Sequence, residues 1–347
     1  MLRSSRSAID TATPGWQQEL AAGINSVEEL AGELDLPASL LGGSHAAGSQ
    51  FPLRVPRGFV RRMRRGDPRD PLLLQIIPTA RELTAHPGFV ADPLDELTRL
   101  RQPGLLQKYQ GRALLMVTGA CAVHCRYCFR REFPYVEAGA APGTHALALA
   151  QVARDPSIQE VILSGGDPLS LSNTRLHALL RGLEQIDHVR RIRIHSRTPV
   201  VLPERIDTGL VTSLGNCTRP IVMVLHSNHA NELDATVATA VARLRDVCAT
   251  VLNQSVLLRG INDDATCLAD LSQRLFEIGV LPYYIHQLDT VRGTAHFRVA
   301  DRRARRLLGE LAARLPGYLV PRLVRERPGM PAKEILAPVL HNPQQVT

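Results

Sequence analysis

No apolar run in this chain of 347 residues approaches the length of a membrane span, and residues 1–30 lack the apolar stretch of a secretion signal. Both absences point to a cytoplasmic protein. Cysteine is scarce, and six in 347 residues do not make a disulfide framework. Three of the six, Cys217, Cys248 and Cys267, are scattered and read as small core residues. Aromatic residues make up only 4% of the chain. The net charge of +8 comes mostly from Arg, and a basic chain either binds nucleic acid or handles anionic small molecules. The densest basic stretch, Arg57 to Arg65 (RGFVRRMRR), is interleaved with one aromatic, Phe59, and belongs to no recognised nucleic-acid module. It reads as a structural or solvated segment.

The other three cysteines are concentrated in Cys121-Ala-Val-His-Cys125-Arg-Tyr-Cys128. Three thiolates hold three irons of a four-iron cluster and leave the fourth iron open to a substrate or cosubstrate. A structural zinc site usually takes four protein ligands, and no fourth Cys lies nearby. His124 abuts Cys125 and would strain the loop. An open [4Fe–4S] cluster is the leading reading; zinc and unligated thiols are the others.

Residues 1–100 differ from the rest. A helical piece at 16–34 and a flexible loop from Gly42 to Gly48 are followed by Pro-rich joints, which reads as an N-terminal wrapping extension, helical or irregular. The remainder, 101–347, carries a rhythm. Apolar strand-like runs fall at 112–118, 159–164, 189–195, 219–226, 250–258, 280–286 and 318–324. Helical patterns fall between them, near 145–154, 173–186, 203–214, 232–247, 264–278 and 301–314. This alternation predicts an α/β fold built of βα units around a parallel sheet. Six units and a final strand fall short of an eight-unit barrel and suit a partial (βα)6 barrel.

Polar residues that are costly to bury follow these strands. Cys121 follows the first, Gly165-Gly166-Asp167 the second, and His195-Ser196-Arg197 end the third. His226 and Asn228 end the fourth, Asp289 follows the sixth, and Glu326 the seventh. In βα barrels chemistry gathers at the C-terminal ends of the strands. The glycines of Leu163-Ser-Gly-Gly-Asp-Pro168 suit a tight turn or close approach to a ligand. Arg130 suits bidentate pairing with a carboxylate or an ordinary surface place. Lys333 follows the Pro/Gly turn Pro328-Gly-Met-Pro-Ala, which would offer its amine rigidly to an aldehyde; most lysines are merely solvated. Asp289 and Glu326 suit an ammonium ligand or a plain cap. Asp263 and Asp264 suit the N-cap of the next helix.

In order along the chain, "CRYCFRR", "LSGGDPL", "SRTPVVLPERI", "HSNHANEL", "QSVLLRGIND", "LPYYIHQLD" and "PGMPAK" resemble the lysine 2,3-aminomutase family of radical S-adenosylmethionine (SAM) enzymes. The segment "FPLRVPRGFVRRMRRGDPRDPLLLQIIP" resembles its short branch, which isomerises lysine for the modification of translation elongation factor P. The resemblance implies a radical SAM partial barrel with a PLP-binding C-terminal segment. It places a [4Fe–4S] cluster on Cys121, Cys125 and Cys128, and puts Ser164, Gly165, Gly166, Asp167, Arg197 and Gln254 around SAM. It makes Lys333 the carrier of pyridoxal 5′-phosphate (PLP) and Arg112 a contact to the PLP phosphate. Arg130 would pair with the substrate carboxylate, and Asp289 and Glu326 with its ε-ammonium. The implied reaction converts L-α-lysine to β-lysine through removal of a hydrogen from C3. The implied partners are L-lysine, an electron donor such as flavodoxin or ferredoxin, and the ligase that attaches β-lysine to elongation factor P, with no direct nucleic acid and no membrane.

Three departures stand out. Glu326 replaces a family Asp and is one methylene longer. Leu233 stands where the long aminomutases place a Cys, and the chain ends soon after Lys333, so no structural zinc is expected. The loop before Lys333 reads P-G-M-P-A-K in place of P-G-G-G-G-K and should be stiffer. Two alternatives stay open: an aminomutase acting on another amino acid such as glutamate, and an Fe–S protein that binds nucleic acid. Glutamate has no ammonium for Asp289 and Glu326 to hold.

Overall fold

The computed structural model describes residues 15–139 and 145–340. Ten strands form one sheet in chain order: β1 (Leu100–Gln102), β2 (Leu105–Tyr109), β3 (Arg112–Thr118), β4 (Glu160–Gly165), β5 (Arg191–Ser196), β6 (Ile221–His226), β7 (Thr250–Val256), β8 (Leu281–His286), β9 (Arg322–Arg325) and β10 (Glu334–Ile335). Strands β3 to β9 pair in parallel. The hairpin β1–β2 extends one edge and β10 the other, both antiparallel. The order does not close on itself, so six βα units and a last strand make a partial barrel.

Strand alternation decides what faces the inside. Ala113, Leu115, Val117, Val161, Leu163, Ile192, Ile194, Met223, Leu225 and Val251 pack outward in one core with helix residues such as Leu176, Leu210, Val237 and Leu271. Side chains of the opposite parity point to the interior: Arg112, Ser164, His195, His226, Gln254 and His286. Four crossover helices start on a side-chain cap. Ser172, Asp207, Asp234 and Asp264 cap the helices beginning at Asn173, Thr208, Ala235 and Ala265. Asp264 caps as its position in the sequence suggests, while Asp263 instead accepts from the Gly260 amide at 2.8 Å.

Residues 16–77 build a second core over the cysteine loop. Trp16, Ile24, Leu30, Phe59, Leu72 and Ile76 pack against Ala122, Val123, Val201 and Leu202. Arg126, from the cysteine loop, is fully buried; it pairs with Glu82 and donates to the Phe51 carbonyl at 2.6 Å. The arginine-rich stretch makes ion pairs both within this segment and across to the barrel. Arg57 pairs with Glu29 and Glu33, Arg62 with Asp234, and Arg65 with Asp35.

The local expectations need four corrections. The piece 16–34 is two helices, α1 (Gly15–Ala21) and α2 (Val27–Glu33), because Ile24 leaves the helix to bridge Val55. The expected loop from Gly42 to Gly48 mostly forms helix α3 (Ser44–Gln50). Gly43, at φ +78°, supplies the turn into it, and Ser44 Oγ donates to the Pro78 carbonyl at 2.8 Å. The last parallel strand starts only at Arg322, since a 3₁₀ turn, Gly317–Leu319, follows Pro316. Strands β1, β2 and β10 are too short or too polar to show in the pattern. Among the described residues no helix is long and apolar enough to cross a membrane.

Candidate active site

Cys121, Cys125 and Cys128 share the loop after β3, and all three are free thiols. Among the described residues no three His, Cys, Asp or Glu side chains converge on a single metal ion. Burial pushes the Cys128 thiol up to about 11, with nearby Cys125 adding to it. Three thiolates here need compensating charge, which bound iron provides. One cation is already in place: Arg197 Nη1 donates to Cys125 Sγ at 2.7 Å. Nη1 also donates to Tyr127, and Nη2 donates to Gln75 at 2.7 Å and to Glu232 at 3.1 Å. His124 turns away, with Nδ1 2.8 Å from the Pro52 carbonyl.

Gly165, the last residue of β4, and Gly166 after it let this loop lie flat on the next strand end. The Gly166 amide donates to the Thr118 carbonyl at 2.7 Å, and the Asp167 amide to Ala120 at 2.8 Å. A Cβ on Gly166 would stand 2.4 Å from the Ala120 carbonyl oxygen, and one on Gly165, at φ +109°, 2.6 Å from that of Thr118. Gly166→Ala should therefore cost about 1–3 kcal/mol, as overpacking against rigid backbone does. The expected readout is a lowered thermal midpoint together with reduced iron uptake; an unchanged midpoint would remove this role.

Asp167 is 5% exposed and its carboxylate is fully engaged. It accepts from the amides of Leu169, Arg197 and Thr198 at 3.0, 2.8 and 2.9 Å, and from Ser196 Oγ at 2.7 Å. It therefore locks the ends of β4 and β5 together. Ser164 Oγ and the Gly165 carbonyl accept from Arg130 at 3.3 and 3.2 Å. Gln254 faces the interior from β7.

A line of charges crosses the interior. The buried guanidinium of Arg130 grips Glu96 in a fork, Nε to Oε2 at 2.6 Å and Nη2 to Oε1 at 2.9 Å. Lys108 Nζ lies 2.8 Å from Glu96 Oε1 and 2.8 Å from Glu326 Oε1. Glu326 Oε2 pairs with Lys333. Burial would raise the Glu326 carboxyl, but Lys333 and Lys108 hold it well below the ordinary carboxylate range. The chain's own ammonium thus occupies the place expected for a substrate ammonium. Asp289 is different: burial, and then the charge of Glu326, push its carboxyl up to about 7. A parallel bridge between Val90 and Val291 ties the extension to the turn beside it.

Two interior histidines, His195 and His286, have a buried Nε2 with no partner among the described residues. Burial lowers both pKa values, that of His286 to about 3, and Lys333 lowers each further. Orphaned neutral ring nitrogens beside Lys333 fit a polar ligand such as PLP. Arg112 opens β3, far along that strand from the cysteines, and stacks on Tyr109 with its guanidinium carbon 4.7 Å from the ring centroid.

The structure thus gathers Arg130, Asp289, Glu326 and Lys333 in one interior, with the cysteine loop at one end. Glu96 and Lys108 were not legible as site residues. Lys108 did carry a signal, being one of only two lysines in the chain, the other being Lys333.

Comparison with known proteins agrees with this geometry. Residues 110–196 match the 4Fe-4S single cluster domain. L-lysine 2,3-aminomutase of Escherichia coli K12 is 49% identical over 320 residues, spanning 92% of this chain and 93% of that protein. The Haemophilus influenzae enzyme of the same name is 44% identical over 322 residues, 93% of this chain and 95% of that one. That of Clostridium subterminale is 35% identical over 324 residues, 93% of this chain and 78% of that one. A solved radical SAM methyltransferase from Sphaerobacter thermophilus aligns over 64% of this chain and 68% of its own at 17% identity and a TM-score of 0.43, too slight a likeness to carry weight. On the relatives' identity and coverage, this chain belongs to the L-lysine 2,3-aminomutase family.

Proposed function

We propose that this protein converts L-α-lysine to β-lysine, using a [4Fe–4S] cluster on Cys121, Cys125 and Cys128, SAM, and PLP carried by Lys333. The observation that carries the reading is the interior charge line, with a guanidinium at one end and an ammonium seated on Glu326 at the other. Lysine presents a carboxylate and an ε-ammonium at its two ends, and this interior answers each with the opposite charge.

The cluster with SAM supplies a radical source for a non-acidic hydrogen, and PLP supplies a conjugated system across which an amino group can move. The chain's own residues do the rest. Glu96 holds the Nε–Nη2 edge of Arg130 while Nη1 donates to Ser164 Oγ and the Gly165 carbonyl, so the substrate carboxylate would take over the longer Nη1 bonds. Asp289 and Glu326 hold the ε-ammonium, so C2 and C3 lie between two fixed ends. Arg112 contacts the PLP phosphate, and Ser164, Gly165, Gly166, Asp167, Arg197 and Gln254 shape the SAM side. Asp167 and Arg197 act there through the backbone and the thiolate they hold.

Residues 1–100 serve as the wrapping extension and 101–347 as the barrel with its PLP-binding C-terminal segment. The second core supports that division. The reaction would run in the cytoplasm with flavodoxin or ferredoxin as electron donor. The short-branch likeness of 51–78 supports delivery of β-lysine to the ligase that modifies elongation factor P. Glutamate is the weaker substrate, since its γ-carboxylate would meet Asp289 and Glu326.

A competition assay tests this reading. Protein reconstituted with the three cofactors and given equal L-lysine and L-glutamate under reducing, anaerobic conditions should consume lysine. Preference for glutamate would overturn the assignment. The pH profile is a second check. Below about pH 7 Asp289 is protonated and cannot pair with an ammonium. The kcat/KM for lysine should therefore rise about tenfold per unit of pH and level off above about 7. Asp289→Asn should flatten that limb and lose about 30- to several-thousand-fold, as removal of one buried charged partner does.

A further inference from the structure

Forty-one residues of this chain are Lys or Arg, yet only two are Lys, and both touch Glu326. One of them, Lys333, has a chemical reason to be an amine. Lys108 has no such reason in the reading above, and its surroundings suggest one. It stands on β2, outside the (βα)6 units, with its side chain 17% exposed between Glu96 and Glu326. A compact ammonium with three donors can touch two carboxylates at once, whereas a planar guanidinium needs more room and a fixed fork. Burial opposes its charge, but Glu96 and then Glu326 hold the Lys108 pKa above the ordinary lysine value.

Continuous contacts therefore join the two ends of the proposed substrate seat. Arg130 holds Glu96 at 2.6 and 2.9 Å, and Lys108 holds Glu96 and Glu326 at 2.8 Å each. Glu326 has three rotatable side-chain bonds and, alone, would follow a cation over a wide arc. Lys108 removes that freedom by fixing Oε1 and leaving Oε2 as the one oxygen for an incoming ammonium. That oxygen is where Lys333 sits in this structure.

We propose that Lys108 is a specificity-determining residue: pinned between Glu96 and Glu326, it fixes the distance between the carboxylate clamp and the ammonium seat and so selects a diamino acid of lysine's length. This rests on the lysine reading above. L-Ornithine, one methylene shorter, cannot reach a fixed Oε2 while its carboxylate stays on Arg130. It does reach a Glu326 that is free to swing. One methylene is ordinarily discriminated about 10- to 200-fold.

Equilibrium binding tests this without turnover. Protein loaded with cluster, SAM and PLP but given no reductant is titrated calorimetrically with L-lysine and with L-ornithine. The parent should prefer lysine by about 10-fold or more. Lys108→Met should bring the ratio to about threefold or less, with ornithine binding gaining, because the variant frees Glu326 and removes a positive charge from the seat. General damage to the fold would weaken both ligands and cannot produce that gain. Lys108→Arg, which keeps a cation but not the compact three-donor geometry, should give a ratio between those of the parent and Lys108→Met. Should Lys108→Met not fold, Glu96→Gln carries the test, since it loosens the far anchor of Lys108 and should lower the ratio as well. A parent selective for lysine whose Lys108→Met variant keeps the parental ratio overturns this inference alone. A parent that binds lysine no better than ornithine or glutamate overturns both this inference and the lysine reading.

Discussion

Cys128→Ala should abolish turnover and leave a protein that cannot hold a full four-iron cluster. Cys128 closes the cysteine loop, its amide donating to the Cys125 carbonyl at 3.0 Å, and no fourth cysteine lies near enough to substitute. The reaction depends on an open iron beside three thiolates, and two thiolates cannot keep that geometry. The overall fold should survive, because the second core that covers the loop takes its packing from Trp16, Phe59, Leu72 and Ile76. Iron and sulfide analysis with EPR of the reduced protein reads the result: the parent signal should change when SAM is added, and the variant should show no such signal. A variant that holds four irons and still cleaves SAM would remove the cluster assignment.

The second large effect concerns Lys333. Borohydride reduction of the PLP-loaded protein, followed by peptide mapping, should place the pyridoxyl group on Lys333, and Lys333→Ala should bring activity to background. The composition makes this a sharp choice, because Lys108 is the only other lysine. An attacking amine must be neutral. Lys108 is held as a cation between Glu96 and Glu326, while Lys333 pairs with Glu326 alone. Label on Lys108 would exchange the roles of the two lysines and remove the specificity argument as well.

Much of the barrel was legible because its strands are buried and its helices capped. The sequence patterns at 112–118, 145–154 and 301–314 coincide with β3, the helix His145–Arg154 and the helix Asp301–Arg314. The extension was less legible. Its elements are helices of seven residues or fewer and 3₁₀ turns, too short to be stable alone; α3 is held by Ser44 Oγ on the Pro78 carbonyl and by Arg126 of the cysteine loop on the Ala47 carbonyl. The site followed the same division. Cys121, Cys125 and Cys128 are local in sequence and announce themselves by spacing. Glu96 and Lys108 do not, because their meaning lies in partners far along the chain: Arg130 for Glu96, and Glu326 for Lys108. Asp167 shows a third case. Its place after two glycines suggested a ligand contact, while its carboxylate accepts from the Ser196 hydroxyl at the end of β5 and from the Arg197 and Thr198 amides that follow.

The most direct test of the lysine reading follows the migrating nitrogen. Anaerobic incubation of the reconstituted protein with reductant, SAM and L-lysine carrying ¹⁵N on its α-amino group should yield β-lysine labelled at the nitrogen on C3, with the ε-nitrogen unlabelled. Label that remains on C2, or lysine left unconsumed by a protein with full cluster and PLP, would contradict it.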